Sequence, residues 1–318
     1  MPNSPAISII MPCHNATAHL PASVGSVLAQ TCADWELIAI DDGSTDNTLA
    51  WLQSQTDPRI HALTQANQGV SAARNAGLAV ARGEWVAFLD ADDTWSPDCL
   101  ATMHTALSAQ PAAQLAYCGW QHLRPSGQNG EPFVPPDYET PTKTETLLER
   151  CRWPIHAALV KRDAVQTAQG FDPTFSNAED FSLWLRVAID APIIRVPHVL
   201  AFYHLHSDEQ ASGNHARAAL QHLRAQLKFL DSRPDLQQQI GHARLRKLTL
   251  GELLRQGYIR YWKRDLPASR QIFRAVMKQG YGTLRDWKYM LPAWLPESWH
   301  RWLLGQRDRE AYKTDGKL

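Results

Sequence analysis

The fold of this chain can be read outward from one acidic segment, Glu84-Trp85-Val86-Ala87-Phe88-Leu89-Asp90-Ala91-Asp92-Asp93. Its apolar run at 86–89 predicts a buried strand of a parallel sheet. Asp90 and Asp92 follow directly, and a spacing of two points both side chains to one side of an extended chain. Ligands of open α/β sheets bind just beyond the carboxyl ends of such strands. We therefore predict a Mg²⁺ or Mn²⁺ site, completed by water and phosphate oxygens.

A second interpretation of the same segment is an acidic turn that caps the next helix. Thr94 or Ser96 would then be the N-cap, with Pro97 at the first helical position and Asp98 in the first turn. This interpretation accounts for residues 96–98, but it gives no reason for carboxylates at the mouth of a buried strand. We therefore favour the metal site.

Length and charge limit the classes of protein to which the chain can belong. Its 318 residues suffice for an α/β domain with an appendage, and 32 Lys and Arg balance 32 Asp and Glu. Without net charge, bulk electrostatics attract neither nucleic acid nor an anionic membrane, so no nucleic-acid partner is predicted. The five cysteines form no CxxC pair, which favours a reducing cytosol. We find no signal peptide and no run of 18 apolar residues, and thus predict no spanning helix.

Short apolar runs alternate with helical patterns along the first two thirds of the chain. Strands are predicted at 7–11, 35–40, 60–63, 86–89, 114–120, 155–160 and 199–204. Helices are predicted at 20–30, 49–52, 69–81, 100–107 and 178–188, and a long loop at 124–141. Such alternation is typical of a parallel sheet covered by helices, whose right-handed crossovers bring the strand-end loops to one rim. From about 213 the pattern is helical, with a hairpin of 243–262 and 266–278.

The second predicted strand also ends in two carboxylates, Asp41 and Asp42. A carboxylate there can accept a hydrogen bond from a nucleobase N–H or a ribose hydroxyl, although helix capping is the common alternative. Two acidic strand ends on one rim favour a ligand site. The spacing of a calcium loop, the dinucleotide-binding GxGxxG and the P-loop are all absent from the sequence.

Four further candidates each have a simpler structural interpretation. Arg74 would pair with a diphosphate or be a solvated charge. His14 would stack on a flat base or merely fill the first loop, and His206 would contact metal or phosphate or be structural. Glu179 and Asp180 open a helix, where acids favour the macrodipole without any function. The functional alternative for this acidic pair is a general base.

Six motifs, in order over roughly residues 5–210, resemble the family 2 glycosyltransferases with the GT-A fold. These motifs are Ile9-Ile10-Met11-Pro12-Cys13-His14-Asn15, Asp41-Asp42-Gly43-Ser44-Thr45-Asp46, Ala73-Arg74-Asn75-Ala76-Gly77, Phe88-Leu89-Asp90-Ala91-Asp92-Asp93, Gly170-Phe171-Asp172, and Glu179-Asp180 with Leu183-Trp184-Leu185-Arg186. The resemblance implies an α/β, Rossmann-like and mostly parallel sheet flanked by helices at 1–212, with a helical C-terminal region at 213–318. Residues 1–100 would bind the nucleotide sugar and residues 101–212 the acceptor.

The resemblance also implies roles for individual residues. The donor would contact Pro12, His14, Asn15, Asp41, Asp42, Arg74, Asp90, Ala91 and Asp92. His14 stands where this family often has a tyrosine. Mn²⁺ or Mg²⁺ would be held by Asp92 and Asp90, with His206 as a further candidate ligand. Asp180 would be the catalytic base, with Glu179 beside it.

The implied reaction moves a sugar, most simply from a UDP-sugar, to an acceptor hydroxyl with inversion. The acceptor would be a sugar or lipid-linked saccharide in cell-surface polysaccharide or glycolipid synthesis, contacted by Trp153, His156 and Trp184. The family's processive enzymes carry a QxxRW motif and membrane helices. This sequence has neither, which indicates a single-transfer enzyme in the cytoplasm or at the inner face of the membrane.

Two other function classes remain open, as does the role of the C-terminal aromatics. The acidic rim would also suit a nucleotidyltransferase or phosphotransferase, or a non-catalytic module that binds nucleotide sugars. The aromatic segment 285–304 is either a peripheral membrane contact or a packing surface within the appendage or a homodimer. Packing is the favoured interpretation, because Pro292 and Pro296 would break a long amphipathic helix.

Overall fold

The computed structural model describes residues 4–205, 214–302 and 304. The chain divides into two compact units, Met1–Gln210 and Ala211–Leu318, which we call the N-terminal and C-terminal units. Candidate ligand His206 lies outside the described residues. The α/β prediction with a helical C-terminal region is confirmed by the elements of the two units.

The N-terminal unit is built on one sheet with the strand order β3-β2-β1-β4-β7-β6-β8-β5. The strands are β1 (Ile7–Cys13), β2 (Trp35–Asp42), β3 (Ile60–Gln65), β4 (Trp85–Phe88), β5 (Thr94–Trp95), β6 (Leu115–Leu123), β7 (Ala158–Lys161) and β8 (Ile193–His204). β1 lies between β2 and β4 and runs parallel to both. Every residue of these three strands is buried, as expected for strands covered by helices on both faces.

The direction of the strands gathers many loops at one rim of the sheet. β7 runs antiparallel to both β4 and β6, whereas β6 and β8 are parallel to each other. Because two reversals restore the original direction, β6 and β8 point the same way as β1, β2 and β4. The carboxyl ends of these five strands, and the start of β7, therefore lie along one rim, which we call the ligand rim.

Helices cover this sheet and form the connections between its strands. They are α1 (Leu20–Leu28), α2 (Thr48–Gln53), α3 (Val70–Val80), α4 (Cys99–Ser108), α5 (Lys143–Glu149), α6 (Arg162–Thr167) and α7 (Glu179–Ala188). α5 and α6 are short and were not predicted, because six or seven residues give too few turns for a clear helical period.

Two segments differ from the predictions. The apolar stretch 155–160 begins as a 3₁₀ turn, Ile155–Ala157, and becomes strand β7 only at Ala158. Its mostly apolar composition hides that change, which follows Pro154. Thr94 is not an N-cap, since it forms β5 with Trp95 against β8. α4 begins at Cys99 and Asp98 holds its N-cap position, so Pro97 lies before the helix.

The C-terminal unit is helical, as predicted. Its helices are α8 (His215–Asp231), α9 (Pro234–Ile240), α10 (His242–Arg246), α11 (Glu252–Trp262), α12 (Leu266–Lys278) and α13 (Leu284–Met290), with a π-helical segment Lys247–Gly251 and a 3₁₀ turn Leu291–Trp294. α11 and α12 form the expected hairpin, and Asp265 caps α12 by accepting from the backbone N–H of Ala268. Within the described residues, no helix is both long and apolar enough to cross a bilayer.

α3 packs unusually close to the sheet because it carries a glycine at the contact. A Cβ added to Gly77 would lie 2.7 Å from Cγ2 of Ile10 and 2.8 Å from Cδ1 of Ile40. Both isoleucines are buried in the centre of β1 and β2. The small residue therefore sets the distance between α3 and the strands that form the ligand rim.

We predict that Gly77→Ala destabilises the N-terminal unit although alanine is the better helix former. Overpacking costs about 1–3 kcal/mol, against a helix-propensity gain of about 1 kcal/mol. Gly25→Ala in α1 is the matched control, since nothing lies within 4 Å of its added Cβ. Thermal unfolding should show a lower Tm for Gly77→Ala and an unchanged or higher Tm for Gly25→Ala. Equal Tm values would contradict the close contact.

Candidate active site

The loop after β1 is fastened to the loop after β2. Nδ1 of His14 lies 2.9 Å from the backbone oxygen of Asp42. Asn15 adopts a positive φ of 51° and its Oδ1 accepts from the backbone N–H of Thr45 at 2.8 Å. His14 and Asn15 are both exposed, so these contacts fix the loop at the surface. The ligand rim thus presents His14 beside the end of β2, and Pro12 is buried within β1.

Asp41 and Asp42 are almost fully buried at this rim. The carboxylate of Asp42 accepts from the backbone N–H groups of Gln68 and Gly69, at 2.9 and 2.8 Å, and from Nε2 of Gln65. Asp41 accepts from Oγ1 of Thr64 at 3.1 Å. Asp42 therefore holds the connection between β3 and α3 in place, and Asp41 ties the end of β2 to β3. Their contact with a nucleotide stays a prediction.

Arg74 of α3 connects the acidic strand end to the start of α7. Its Nη2 donates to Oδ1 of Asp90 at 2.6 Å and its Nη1 donates to Oε1 of Glu179 at 3.0 Å. The side chain is only 2% exposed, yet the two carboxylates raise its pKa further above the ordinary value. A buried guanidinium is stable here because two anions share its charge. Arg74 thus pairs with carboxylates, a role that sequence reasoning did not predict.

The next residue, Asn75, holds the chain that leads into α7. Its Oδ1 accepts from the backbone N–H of Phe171 at 2.8 Å, and its Nδ2 donates to the Phe171 oxygen at 2.7 Å. Gly170 has a φ of 64°, and an added Cβ would lie 2.6 Å from Oδ1 of Asn75. Sequence reasoning missed this residue. The available signal was its place beside Arg74 and the separate Gly170-Phe171 motif.

The carboxyl group of Asp180 has a pKa well above its ordinary value. Burial, followed by the charge of Glu179, raises its pKa from 3.8 to about 7, against the lowering effect of Arg74. Its Oδ1 accepts from the backbone N–H of Phe181 at 2.6 Å. Because the folded chain holds this proton more tightly than the unfolded chain, ionising Asp180 costs stability as pH rises from about 4 to about 7. A carboxyl group with such a pKa suits proton transfer near neutral pH.

The acidic strand end fits a cation that takes most of its ligands from elsewhere. Asp90 is 28% exposed, and Asp92 is also partly exposed beside it. Among the described residues, no group of three or more His, Cys, Asp or Glu could hold a metal ion. Mg²⁺ and Mn²⁺ bind through one or two carboxylates together with phosphates and water. The donor set therefore fits such an ion when a diphosphate ligand accompanies it.

Two hydrogen bonds hold the acidic segment 90–93 in place. The backbone oxygen of Ala91, which is buried, accepts from Oγ of Ser23 in α1. Asp93 is 1% exposed, and its Oδ1 accepts from the backbone N–H of His204 at 3.0 Å. Burial raises the pKa of Asp93, with the charges of Asp90 and Asp92 adding to the effect. Asp93 therefore braces β8 against the acidic segment.

The predicted acceptor contacts at Trp153, His156 and Trp184 need correction. All three side chains are almost fully buried, and so have no surface on which an acceptor can lie. Trp153 stacks on Tyr117 with ring centroids 4.5 Å apart. Nδ1 of His156 lies 3.0 Å from Asp93, and burial lowers its pKa to about 4. These residues pack beneath the ligand rim and support it.

A comparison with known proteins decides the family. The model of "Glycosyl transferase family 2" matches residues 8–166, which is half of the chain. The chain belongs to this family. The match includes the ends of β1, β2 and β4 and all of α3, and it stops before the helix that carries Glu179 and Asp180. It follows that the protein is a glycosyltransferase.

Relatives of this glycosyltransferase include O-antigen biosynthesis protein RfbC of Myxococcus xanthus, 35% identical over 58% of this chain but only 14% of RfbC. Another is the Escherichia coli UDP-Glc:alpha-D-GlcNAc-diphosphoundecaprenol beta-1,3-glucosyltransferase WfgD, 35% identical over 58% of this chain and 70% of WfgD. Among solved structures, mannosyltransferase PcManGT from Pyrobaculum calidifontis, in complex with GDP-Man and Mn²⁺, superposes with a TM-score of 0.58. It covers 90% of this chain and 78% of its own at 18% identity, a likeness that shows the fold alone.

We predict that Arg74→Gln destabilises the glycosyltransferase. Removing the cation leaves Asp90 and Glu179 partly buried without their partner, which costs up to about 3–5 kcal/mol and less where water reaches Asp90. Arg74→Lys is the matched control, because a lysine keeps the charge but cannot fork between two carboxylates. Thermal unfolding should rank the wild type above Arg74→Lys and Arg74→Lys above Arg74→Gln. A wild-type melting temperature for Arg74→Gln would exclude the bridge.

We also predict a pH dependence of kcat/KM that follows the raised pKa of Asp180. The rate constant should rise with pH through about 7, since only the ionised carboxylate can accept a proton. Glu179→Gln removes the neighbouring negative charge that raises this pKa, and should move the rise to lower pH. A rise near pH 4 in the wild type would contradict the environment described for Asp180.

Proposed function

We propose that the protein transfers one sugar from a nucleotide-diphosphate sugar, a UDP-sugar first of all, to an acceptor hydroxyl with inversion of the anomeric configuration. The observation that carries this proposal is the sharing of Arg74 between Asp90 and Glu179. It joins an acidic strand end, suited to a diphosphate and its metal, to the residue that precedes Asp180, whose carboxyl group has a raised pKa suited to a base. These are the two halves of a single displacement.

In the proposed mechanism, Asp180 accepts the proton of the acceptor hydroxyl as its oxygen attacks the anomeric carbon. The diphosphate leaves from the opposite face, so the configuration inverts. A bound Mg²⁺ or Mn²⁺ would neutralise the leaving diphosphate as a Lewis acid, held by Asp92 and Asp90. Glu179 pairs with Arg74 at 3.0 Å, and its charge adds to the effect of burial in raising the pKa of Asp180.

The donor is proposed to lie across the ends of β1, β2 and β4. His14 presents an exposed ring there, and the carboxylate of Asp41 accepts hydrogen bonds from Thr64 and from the backbone N–H of Ser44. Cys13 pairs with Asp41 in the register of β1 and β2, and burial, followed by the charges of Asp41 and Asp90, raises the pKa of its thiol. The two acidic strand ends are therefore close enough to serve one nucleotide-diphosphate ligand.

The acceptor is proposed to lie over half-exposed aromatic side chains at the ends of β6 and β8. Trp120, His122 and Tyr203 are partly exposed on this stretch of the ligand rim, with ring centroids 4.8 and 5.4 Å apart in succession. Nε1 of Trp120 donates to the oxygen of Arg152, adjacent to Cys151, whose thiol pKa is raised by burial and by Asp180. Aromatic faces with a few polar groups suit sugar rings.

The relatives suggest the class of product. WfgD is named for a UDP-glucose donor and a diphosphoundecaprenol-linked acceptor, and RfbC for O-antigen synthesis. We propose that this chain also extends a sugar or lipid-linked saccharide in cell-surface polysaccharide synthesis. The reaction would then take place in the cytoplasm, at the inner face of the membrane where the acceptor is lipid-linked.

The deciding experiment compares wild type and Asp180→Asn against a panel of nucleotide sugars with Mn²⁺. Asp180→Asn should bind the donor normally, yet lose about 10²–10⁴-fold in transfer rate, because it removes the base alone. Chelation of the metal should abolish transfer by both proteins, and fresh Mn²⁺ should restore the wild type. An active Asp180→Asn enzyme would remove the base assignment. Release of pyrophosphate in place of nucleoside diphosphate would identify a nucleotidyltransferase.

A further inference from the structure

The balanced total charge hides two oppositely charged units. Residues 211–318 contain 21 Lys and Arg against 9 Asp and Glu, whereas residues 1–210 contain 11 against 23. The C-terminal unit therefore carries a surplus of about twelve positive charges, and the N-terminal unit an equal negative surplus. The expectation that bulk electrostatics attract no anionic surface was based on the total charge, and the charge of this unit by itself favours such a surface.

The same unit exposes large apolar side chains. Six of them, each between 52% and 92% exposed, form what we call the aromatic surface. They are Trp262 at the end of α11, Leu284, Leu291, Trp294, Trp299 and Trp302. The sequence favoured packing of the aromatic segment 285–304 within the appendage or in a homodimer. Trp287 does pack against the core, whereas Trp294, Trp299 and Trp302 are exposed and do not pack within the appendage. Exposed apolar residues mark an interaction site where they cluster, and four of these six fall between positions 291 and 302.

The C-terminal unit has a packed hydrophobic core beneath the aromatic surface, so the exposed tryptophans are not there because a core is missing. His300 is buried against the ring of Tyr261, with centroids 6.0 Å apart, and Leu304 is buried in the same core. Trp299 and Trp302 are three residues apart and so share the opposite side of these helical turns. This segment therefore packs one side, with His300 and Leu304, into the core and exposes Trp299 and Trp302 on the other side.

Two contacts hold the remaining tryptophans at the surface. The guanidinium of Arg274 lies 5.4 Å from the ring of Trp294, and Nε of Arg274 donates to the backbone oxygen of Ala293 at 2.8 Å. The ring of Trp262 lies 6.1 Å from that of Tyr289 in α13. Ordered aromatic rings lose little conformational freedom on binding, which favours association.

Exposed basic residues accompany these apolar ones along the chain. Lys263 and Arg264 follow Trp262, Arg285 and Lys288 lie between Leu284 and Leu291, and Arg301 lies between Trp299 and Trp302. Tryptophan with neighbouring Lys and Arg is the composition that settles at the boundary between lipid and water. Pro292 and Pro296 divide this segment into short helical turns, but contact with a bilayer does not require one long helix, because each turn has an exposed side.

We propose that the aromatic surface docks the protein on an anionic phospholipid bilayer, with the tryptophans in the headgroup region and the basic residues on lipid phosphates. A second copy of the chain is a poorer occupant, because a symmetric contact would bring two positively charged units together. Nucleic acid is also poorer, since Leu284 and Leu291 gain nothing from a phosphate backbone. This inference does not depend on the proposed reaction, because docking requires neither donor nor transfer.

The test is co-sedimentation of the full chain with vesicles of phosphatidylcholine alone or mixed with phosphatidylglycerol. We expect binding to the anionic vesicles at low salt, little binding to phosphatidylcholine, and release by 0.5 M salt, taken as roughly the level at which such charges are screened. The combined Trp294→Ser, Trp299→Ser and Trp302→Ser variant should bind at least about tenfold more weakly. The matched control replaces exposed Leu28, Leu63 and Val80 of the other unit by serine, and should bind as the wild type does.

A second variant keeps the test decisive if the tryptophan variant fails to fold. Arg285→Gln with Lys288→Gln changes exposed charges only, and should weaken vesicle binding by about thirtyfold, at about 1 kcal/mol for each of the two basic residues. Wild-type protein that ignores anionic vesicles would overturn the proposal. So would a tryptophan variant that binds vesicles normally but changes the sedimentation coefficient from dimer to monomer. Salt-sensitive binding of single-stranded RNA without vesicle binding would assign the surface to nucleic acid.

Discussion

The guanidinium of Arg74 is the interaction on which the arrangement of the site depends. It is buried, and its charge is balanced by Asp90 after β4 and Glu179 at the start of α7. Glu179 follows Arg74 by 105 positions, so the bridge joins parts of the chain that no local structure relates. It also distinguishes two adjacent carboxyl groups, since Glu179 pairs directly with the cation while Asp180 is left with a pKa of about 7.

One helix, α3, carries the groups that organise both sides of the site. Arg74 orders the acidic strand end and the first turn of α7, and Asn75 clamps the chain at Phe171. Gly77 lets the same helix lie against Ile10 and Ile40 under the ligand rim. Because these three functions lie within four residues, a small rotation of α3 would disturb the donor side and the base side together.

The strands, their acidic ends and the family could be predicted from the sequence, because buried β-branched runs that end in carboxylates are typical of few folds. The partner of Arg74 could not, since an arginine on a helix looks the same whether it meets a phosphate or a carboxylate. Nor could the burial of Trp153 and His156. Their position follows from the antiparallel direction of β7, which places its beginning under the ligand rim, and a direction of pairing leaves no local signal.

The opposite charges of the two units have a consequence for how the protein dissolves. With a pI near 7.2, the chain has little net charge at neutral pH to keep its copies apart. At low ionic strength, the acidic unit of one copy attracts the basic unit of another over the long screening length. Salt shortens that range. We therefore expect the protein to stay dispersed at moderate ionic strength and to self-associate in dilute buffer.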